Sequence, residues 1–233
     1  MLDEAFEALK TYDWGADSAP LAAIDEAVLA SGDDPDVQKG LESRLAAVLA
    51  MDVPRNAKDY VCRKLMVVGT AASTTALGKL LGDEENAHMA RYALERMPVP
   101  EASQALRDAL PTLAGMLKVG VISSLGVRKD AASIPALTDL LGVPDAAVAR
   151  AAAIALGDIC SPAAGQALAE AKSSDPETML AATDGLLACA ESLLGAGKKA
   201  DALAIYQRIA GQDQPKHIRL AATRGMLACA GND

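Results

Sequence analysis

Residues able to carry out acid-base, nucleophilic or metal chemistry are few in this chain, and their spacing works against all three. The two histidines, His88 and His217, are too far apart in a repeating chain to form a dyad. General acid-base and nucleophilic catalysis need partners within hydrogen-bond reach. Ser123-Ser124 lies in a helical run with no base nearby, and Gly195-Ala196-Gly197-Lys198-Lys199 lacks the Gly-x4-Gly-Lys-Ser/Thr spacing that cradles phosphate. Four cysteines, Cys62, Cys160, Cys189 and Cys229, are dispersed without metal-ligand spacing. Cys189 and Cys229 occupy equivalent places in Leu186-Leu187-Ala188-Cys189-Ala190 and Met226-Leu227-Ala228-Cys229-Ala230. That recurrence reads as small buried hydrophobes and favours a reducing compartment. The expectation is a chain that is not an enzyme, with no catalytic residues, no metal site and no cofactor.

Binding chemistry is better represented. Arginine recognises carboxylate and phosphate through bidentate hydrogen bonds, and tyrosine with arginine dominates binding hot spots. The candidates are Tyr60, Arg63, Lys64, Arg91, Tyr92, Arg150, His217 and Arg219. Trp14, the single tryptophan, sits in the turn signal Tyr12-Asp13-Trp14-Gly15 and is expected to cap one end of the array.

The elements that must position these residues are set by a repeat. The dipeptide Ala-Leu recurs at Ala76-Leu77, Ala105-Leu106, Ala136-Leu137, Ala167-Leu168 and Ala202-Leu203. A period of about 30 residues marks stacked supersecondary units, each burying its apolar face only against its neighbours. Asp34-Pro35, Ser161-Pro162 and Asp175-Pro176 place a side-chain acceptor at an N-cap and proline at the first helical position. Gly69, Gly126, Gly157, Gly195 and Gly211 follow apolar-periodic runs and suit left-handed positions that end helices. No alternating β-branched stretch reads as a strand.

These signals predict an all-α chain of about fourteen helices in seven antiparallel pairs. The pairs are 2–12 with 19–31, 34–51 with 54–69, 73–82 with 84–97, 100–110 with 111–125, 131–141 with 145–159, 162–173 with 175–195, and 198–211 with 215–229. The expected organisation is a single domain over 1–233, in which 1–72 form divergent N-terminal pairs and a cap and 73–229 are regular repeats. The core is aliphatic, because 51% of the 233 residues are hydrophobic but only 3% are aromatic.

A formal net charge of −9 disfavours nucleic acid, whose binding depends on cations that neutralise phosphate. Met1-Leu2-Asp3-Glu4 carries acid where a signal peptide carries base, and no apolar run approaches membrane-spanning length. The chain therefore reads as soluble, without membrane insertion and cytoplasmic as given, although a piece of a longer exported protein would look the same.

The clearest repeat runs from Ala131 to Asp158, through Ser133-Ile134-Pro135-Ala136-Leu137, Leu140-Leu141-Gly142, Asp145, Arg150 and Ala153-Ile154-Ala155-Leu156-Gly157-Asp158. This pattern resembles the short HEAT repeat of bacterial proteins, the subtype found in phycobilisome bilin lyases, and the resemblance covers residues 73–229. Tyr12-Asp13-Trp14-Gly15, Ala57-Lys58-Asp59-Tyr60-Val61-Cys62-Arg63-Lys64 and Asp213-Gln214-Pro215-Lys216-His217-Ile218-Arg219 are similar to stretches in HEAT-repeat proteins of planctomycete-type bacteria.

The resemblance implies a right-handed α-α superhelix, a HEAT-like α-solenoid, acting as a scaffold that binds a protein or peptide along a concave side lined by second helices. It leaves two roles open for the arginines. Arg91, Arg150 and Arg219 either pair with acids of the preceding turn, namely Asp83 or Glu85, Asp145 and Asp213, or point into the groove. A bilin-lyase-like protein acting on a tetrapyrrole-protein substrate, and a nucleic-acid-binding array using Lys216, His217, Arg219 and Arg224, are the alternative functions.

Overall fold

The computed structural model describes residues 1–211 and 214–231, the side chain of Asp33 excepted. Among the described residues there are fourteen α-helices and no strand. In chain order the pairs are α1 (Leu2–Leu9) with α2 (Ala22–Ala30), α3 (Pro35–Leu49) with α4 (Arg55–Val68), α5 (Ala71–Lys79) with α6 (Ala87–Arg96), and α7 (Pro100–Ala109) with α8 (Gly115–Val127). They continue with α9 (Ile134–Leu140) and α10 (Ala146–Ile159), α11 (Pro162–Glu170) and α12 (Pro176–Gly195), and α13 (Lys199–Ala210) and α14 (Lys216–Ala230). Each expected helix is present, with ends that differ from the expected bounds by a few residues. No helix among the described residues is long and apolar enough to cross a membrane.

The proline-marked starts form for the reason the sequence suggests. The Asp34 carboxylate accepts from the backbone N–H groups of Asp36 and Val37, Ser161 from that of Ala164, and Asp175 from that of Thr178. Each satisfies a donor that the first helical turn leaves without an intrahelical partner.

The glycine expectation is corrected. None of Gly69, Gly126, Gly157, Gly195 or Gly211 has a left-handed backbone; the positive φ values belong to Gly15, Gly115 and Gly197, and to Lys129 and Cys160. Gly126 and Gly157 lie inside α8 and α10, where they admit a neighbouring helix. A Cβ on Gly157 would stand 2.8 Å from the Cα of Gly185 in α12, and one on Gly126 would stand 2.8 Å from the Cα of Ala155.

The helices cluster into two compact units, Met1–Ser124 and Leu125–Asp233, divided within α8. In the first unit α3, α5 and α7 pack in succession, and α2, α4 and α6 pack in a second row against them. In the second, α9, α11 and α13 form one row and α10, α12 and α14 the other. Two parallel rows of antiparallel pairs are the arrangement of a HEAT-like α-solenoid.

The leucines of the Ala-Leu pairs anchor the first row. Leu77, Leu106, Leu137 and Leu168 are all buried. In α13 the register slips by one residue, so that Ala202 is buried, Leu203 is half-buried, and Tyr206 fills the core.

Candidate functional site

All eight candidate binding residues lie on the second helices α4, α6, α10 and α14. Five of them, Tyr60, Arg63, Lys64, Arg91 and Tyr92, fall in the first unit, and Arg150, His217 and Arg219 in the second.

On α4 the side chains are cross-linked. The Tyr60 hydroxyl donates to the Asp25 carboxylate at 2.6 Å, the Lys64 ammonium pairs with the same carboxylate at 2.6 Å, and Lys64 lies over the Tyr60 ring. Arg63, one position away, pairs with Asp59. Burial disfavours the charge on Asp25, but the bonds from Lys64 and Tyr60 outweigh it and hold the carboxyl below its ordinary 3.8. Burial, reinforced by Asp25, pushes the Tyr60 phenol upward.

A carboxyl whose folded pKa is depressed stabilises the fold above its unfolded pKa, and that contribution is lost as pH falls through the folded value. Asp25→Asn should therefore lower Tm by about 2–4 °C at pH 7, a small effect because the group is half exposed. The gap between the two proteins should narrow as pH falls below the ordinary carboxyl value of 3.8 in a series of thermal melts.

Beside this cluster, Tyr12, Asp13, Trp14, Gly15, Asn56, Asp59, Tyr60 and Arg63 line an open cleft of about 460 Å³. Asp13 accepts from the Trp14 backbone N–H at 2.8 Å and from the Asn56 amide at 2.7 Å, which together hold its carboxyl low. The expected capping role of Trp14 is corrected: the residue is 91% exposed, whereas Phe6 and Leu9 of α1 are buried. The Asp13 carboxylate, accepting from the next residue's N–H, holds the Trp14 backbone in a surface loop.

Arg91 on α6 donates to Ser124 at 2.8 Å, lies 3.4 Å from Glu95, and contacts His88 Nδ1 at 3.2 Å, while Ser124 donates to Glu95 at 2.7 Å. A Cβ on Gly120 would stand 2.9 Å from Arg91 Nε, so glycine there makes room for the guanidinium. Tyr92 carries Arg96 over its ring at 4.8 Å. On α10, Arg150 pairs with Glu177 of α12, and its charge also helps to lower the Asp175 carboxyl, below the larger effect of the Thr178 bonds. His217 and Arg219 are exposed on α14. The expected partner of Arg219, Asp213, lies outside the described residues.

Of the two roles left open for the arginines, pairing with the preceding turn is not the one that Arg91 and Arg150 take. Asp83 instead holds the turn that precedes α6, accepting from the Glu85 and Asn86 backbones, and Asp145 caps the first turn of α10, accepting from those of Ala147 and Val148. An acid immediately before a helix faces a cluster of free N–H groups and the positive end of the helix dipole, which hold it there. The arginines are left to reach forward, Arg91 to α8 and Arg150 to α12.

An apolar feature escaped the residue-by-residue reading. Leu29, Val67, Met116, Val127, Ile154, Leu180, Leu220 and Leu227 are exposed, and all lie on second helices. In the second unit two of them, Leu180 and Leu220, share a register. Arg150, Leu180 and Leu220 each lie five residues beyond the N-cap of α10, α12 and α14. Ile154, Asp184 and Arg224, one turn further along, are exposed as well. Counting from the Asp-Pro and Pro punctuation was the signal available for finding this row. No group of three or more His, Cys, Asp or Glu side chains among the described residues is arranged to hold a metal ion.

No curated protein matches this chain. Among solved structures, one titled as human deoxyhypusine hydroxylase in complex with glycerol is similar over 98% of this chain and 96% of that one, at 16% identity and a TM-score of 0.41. At that distance the likeness says nothing of this chain's chemistry. The expectation that the chain is not an enzyme is withdrawn, the similar structure being titled as a hydroxylase. Residues 115–187, from α8 into α12, match the family of HEAT repeats, in agreement with the two-row helical stack around them.

Proposed function

We propose that this chain is a repeat scaffold that binds a protein segment along the exposed side of its second helices. The carrying observation is the distribution of exposed large apolar side chains: second helices hold eight of them, whereas among the first helices Val37 is the example. Water-facing leucines at matching register on adjacent helices make a contact surface that an isolated exposed leucine does not. In this reading Tyr60, Arg63, Lys64, Arg91 and Tyr92 frame the apolar contacts of the first unit, and Arg150, His217 and Arg219 those of the second. Arg63, Arg150 and Arg219 orient acidic groups of the partner, and the aromatic rings supply area at low entropic cost. The ion pairs of Arg63 and Arg150 open to the partner's carboxylates, so charge acts mainly on the rate and register of docking.

The test is a double substitution, Leu180→Asp with Leu220→Asp, compared with Val37→Asp on the first row. The double variant should keep Tm within about 2 °C, since both side chains are exposed. It should lose at least about tenfold in affinity for proteins retained by the unmodified chain, measured by titration of the retained partner. Val37→Asp should bind normally. Equal binding by all three proteins, or retention of duplex DNA alone, would overturn the proposal.

A further inference from the structure

Cys160 and Cys189 come from different helices, and the sequence gives no reason to pair them, yet their sulfur atoms stand 2.7 Å apart. Cys160 ends α10 in a left-handed conformation, φ 47° and ψ 65°, and Cys189 lies in the middle of α12. One turn earlier in each helix are Gly157 and Gly185, whose backbones touch so closely that a Cβ on Gly157 would reach within 2.8 Å of the Gly185 Cα. This glycine crossing draws α10 against α12, and the left-handed turn at Cys160 carries its side chain back across the crossing. Cys160 Sγ also lies 3.5 Å from the Cys189 carbonyl oxygen. The two thiols differ in access, Cys160 being partly exposed and Cys189 buried. Cys62 is buried in the other unit and Cys229 lies on α14.

We infer that Cys160 and Cys189 form a reversible disulfide site, oxidised by a low-molecular-weight disulfide and returned to thiols by a dithiol reductant. Cys160 is the residue that reacts with the reagent, because it is the accessible member. Its thiolate attacks one sulfur of the reagent, breaking the S–S bond, forming a mixed disulfide and expelling one thiolate. Cys189 then loses its proton and attacks the Cys160 sulfur, and the second reagent thiolate leaves. The protein dithiol is oxidised by two electrons, the reagent is reduced to two thiols, and the two cysteine protons end on those thiols. Burial, with the neighbouring Cys160 thiol, pushes the Cys189 thiol upward, so Cys189 serves as the resolving rather than the attacking residue. The new bond braces adjacent second-row helices around α11.

The experiment exposes the full chain to oxidised glutathione and maps its peptides without reduction. The expected product links the peptides of Cys160 and Cys189, with a mass loss of about 2 Da for the two hydrogens, and dithiothreitol reverses it. Cys189→Ser should stop at a glutathione adduct on Cys160, and Cys160→Ser should react at Cys189 at least about tenfold more slowly than that. A stable glutathione adduct at Cys160 in the unsubstituted chain, a cross-link through Cys62 or Cys229, or no reaction at either residue would overturn the inference.

Discussion

Gly225→Ala is expected to destabilise the second unit by roughly 3 kcal/mol, a fall in Tm of about 10 °C or more, because a single methyl group there has no space to occupy. Tyr206 on α13 is 2% exposed, and its ring lies flat on the backbone of α14 at Gly225. A Cβ at that position would overlap the Cζ, Cε1 and Cε2 atoms of the ring. The ring is a poor candidate to yield: it is rigid, fully enclosed and the largest side chain in that part of the core. Accommodation therefore requires α13 and α14 to separate or the tyrosine to leave the core, and either loses close packing.

The cause is separable from any effect of alanine on the helix, since alanine is the better helix former and by itself would favour α14 by about 1 kcal/mol. Trimming the ring supplies the control. In a Tyr206→Leu background, Gly225→Ala should cost less than about 1 kcal/mol, which gives a coupling of about 2 kcal/mol in a double-mutant cycle followed by urea unfolding. Full additivity of the two substitutions would show that the ring and the glycine are not in contact.

Glu42→Ala should cost about 3 kcal/mol, although it removes a charge from the protein interior. Glu42 on α3 is 2% exposed, and its carboxylate accepts from the Thr70 N–H at 2.6 Å, the Thr70 hydroxyl at 2.8 Å and the Ser73 N–H at 3.1 Å. Those donors form the start of α5, so a carboxylate from the preceding first-row helix completes the cap that Thr70 begins by accepting from the Ala72 N–H. Desolvating the carboxylate is costly, and three short bonds to it together with the positive end of a helix offset that cost.

Removing the carboxylate takes the acceptor from the half-buried Thr70 N–H and leaves the Ser73 N–H with its longer 3.3 Å bond to the Thr70 carbonyl, and this loss exceeds the gain from deleting the charge. Glu42→Gln retains one acceptor oxygen but turns an NH2 group toward a donor, so its cost should fall between wild type and alanine. Chemical denaturation of the three proteins measures the order. An alanine variant within about 0.5 kcal/mol of wild type would mean that water replaces the carboxylate at no loss.

Helices, caps and pairing could be read from the sequence because each depends on residues a few positions apart. The Asp34, Ser161 and Asp175 caps span three residues, and the apolar period that marks each helix needs only one face of a few turns. The same local rules misassigned Gly126 and Gly157, since glycine at a tight helix crossing and glycine at a helix end look alike in one dimension. They also missed the slip in α13, where Tyr206 replaces the leucine anchor of the other first-row helices.

The candidate site was legible only as a set of residue types. That Tyr60, Arg63 and Lys64 share α4 follows from their spacing, but their bonds to Asp25 and Asp59, and the forward reach of Arg150 to Glu177, depend on how each helix is rotated about its axis.

By itself the amino-acid sequence determined an all-helical chain of seven antiparallel pairs with an aliphatic core and a recurring unit of about 30 residues. Tertiary structure decided which groups meet across the pairs: Cys160 with Cys189, Glu42 with the start of α5, Tyr206 with Gly225, and the leucines of α12 and α14 at a common exposed register. The physical reason is range. Hydrogen bonds and periodicity within a helix are set over three or four residues, whereas contacts between helices arise from crossing angles and side-chain volumes summed over the whole packed stack.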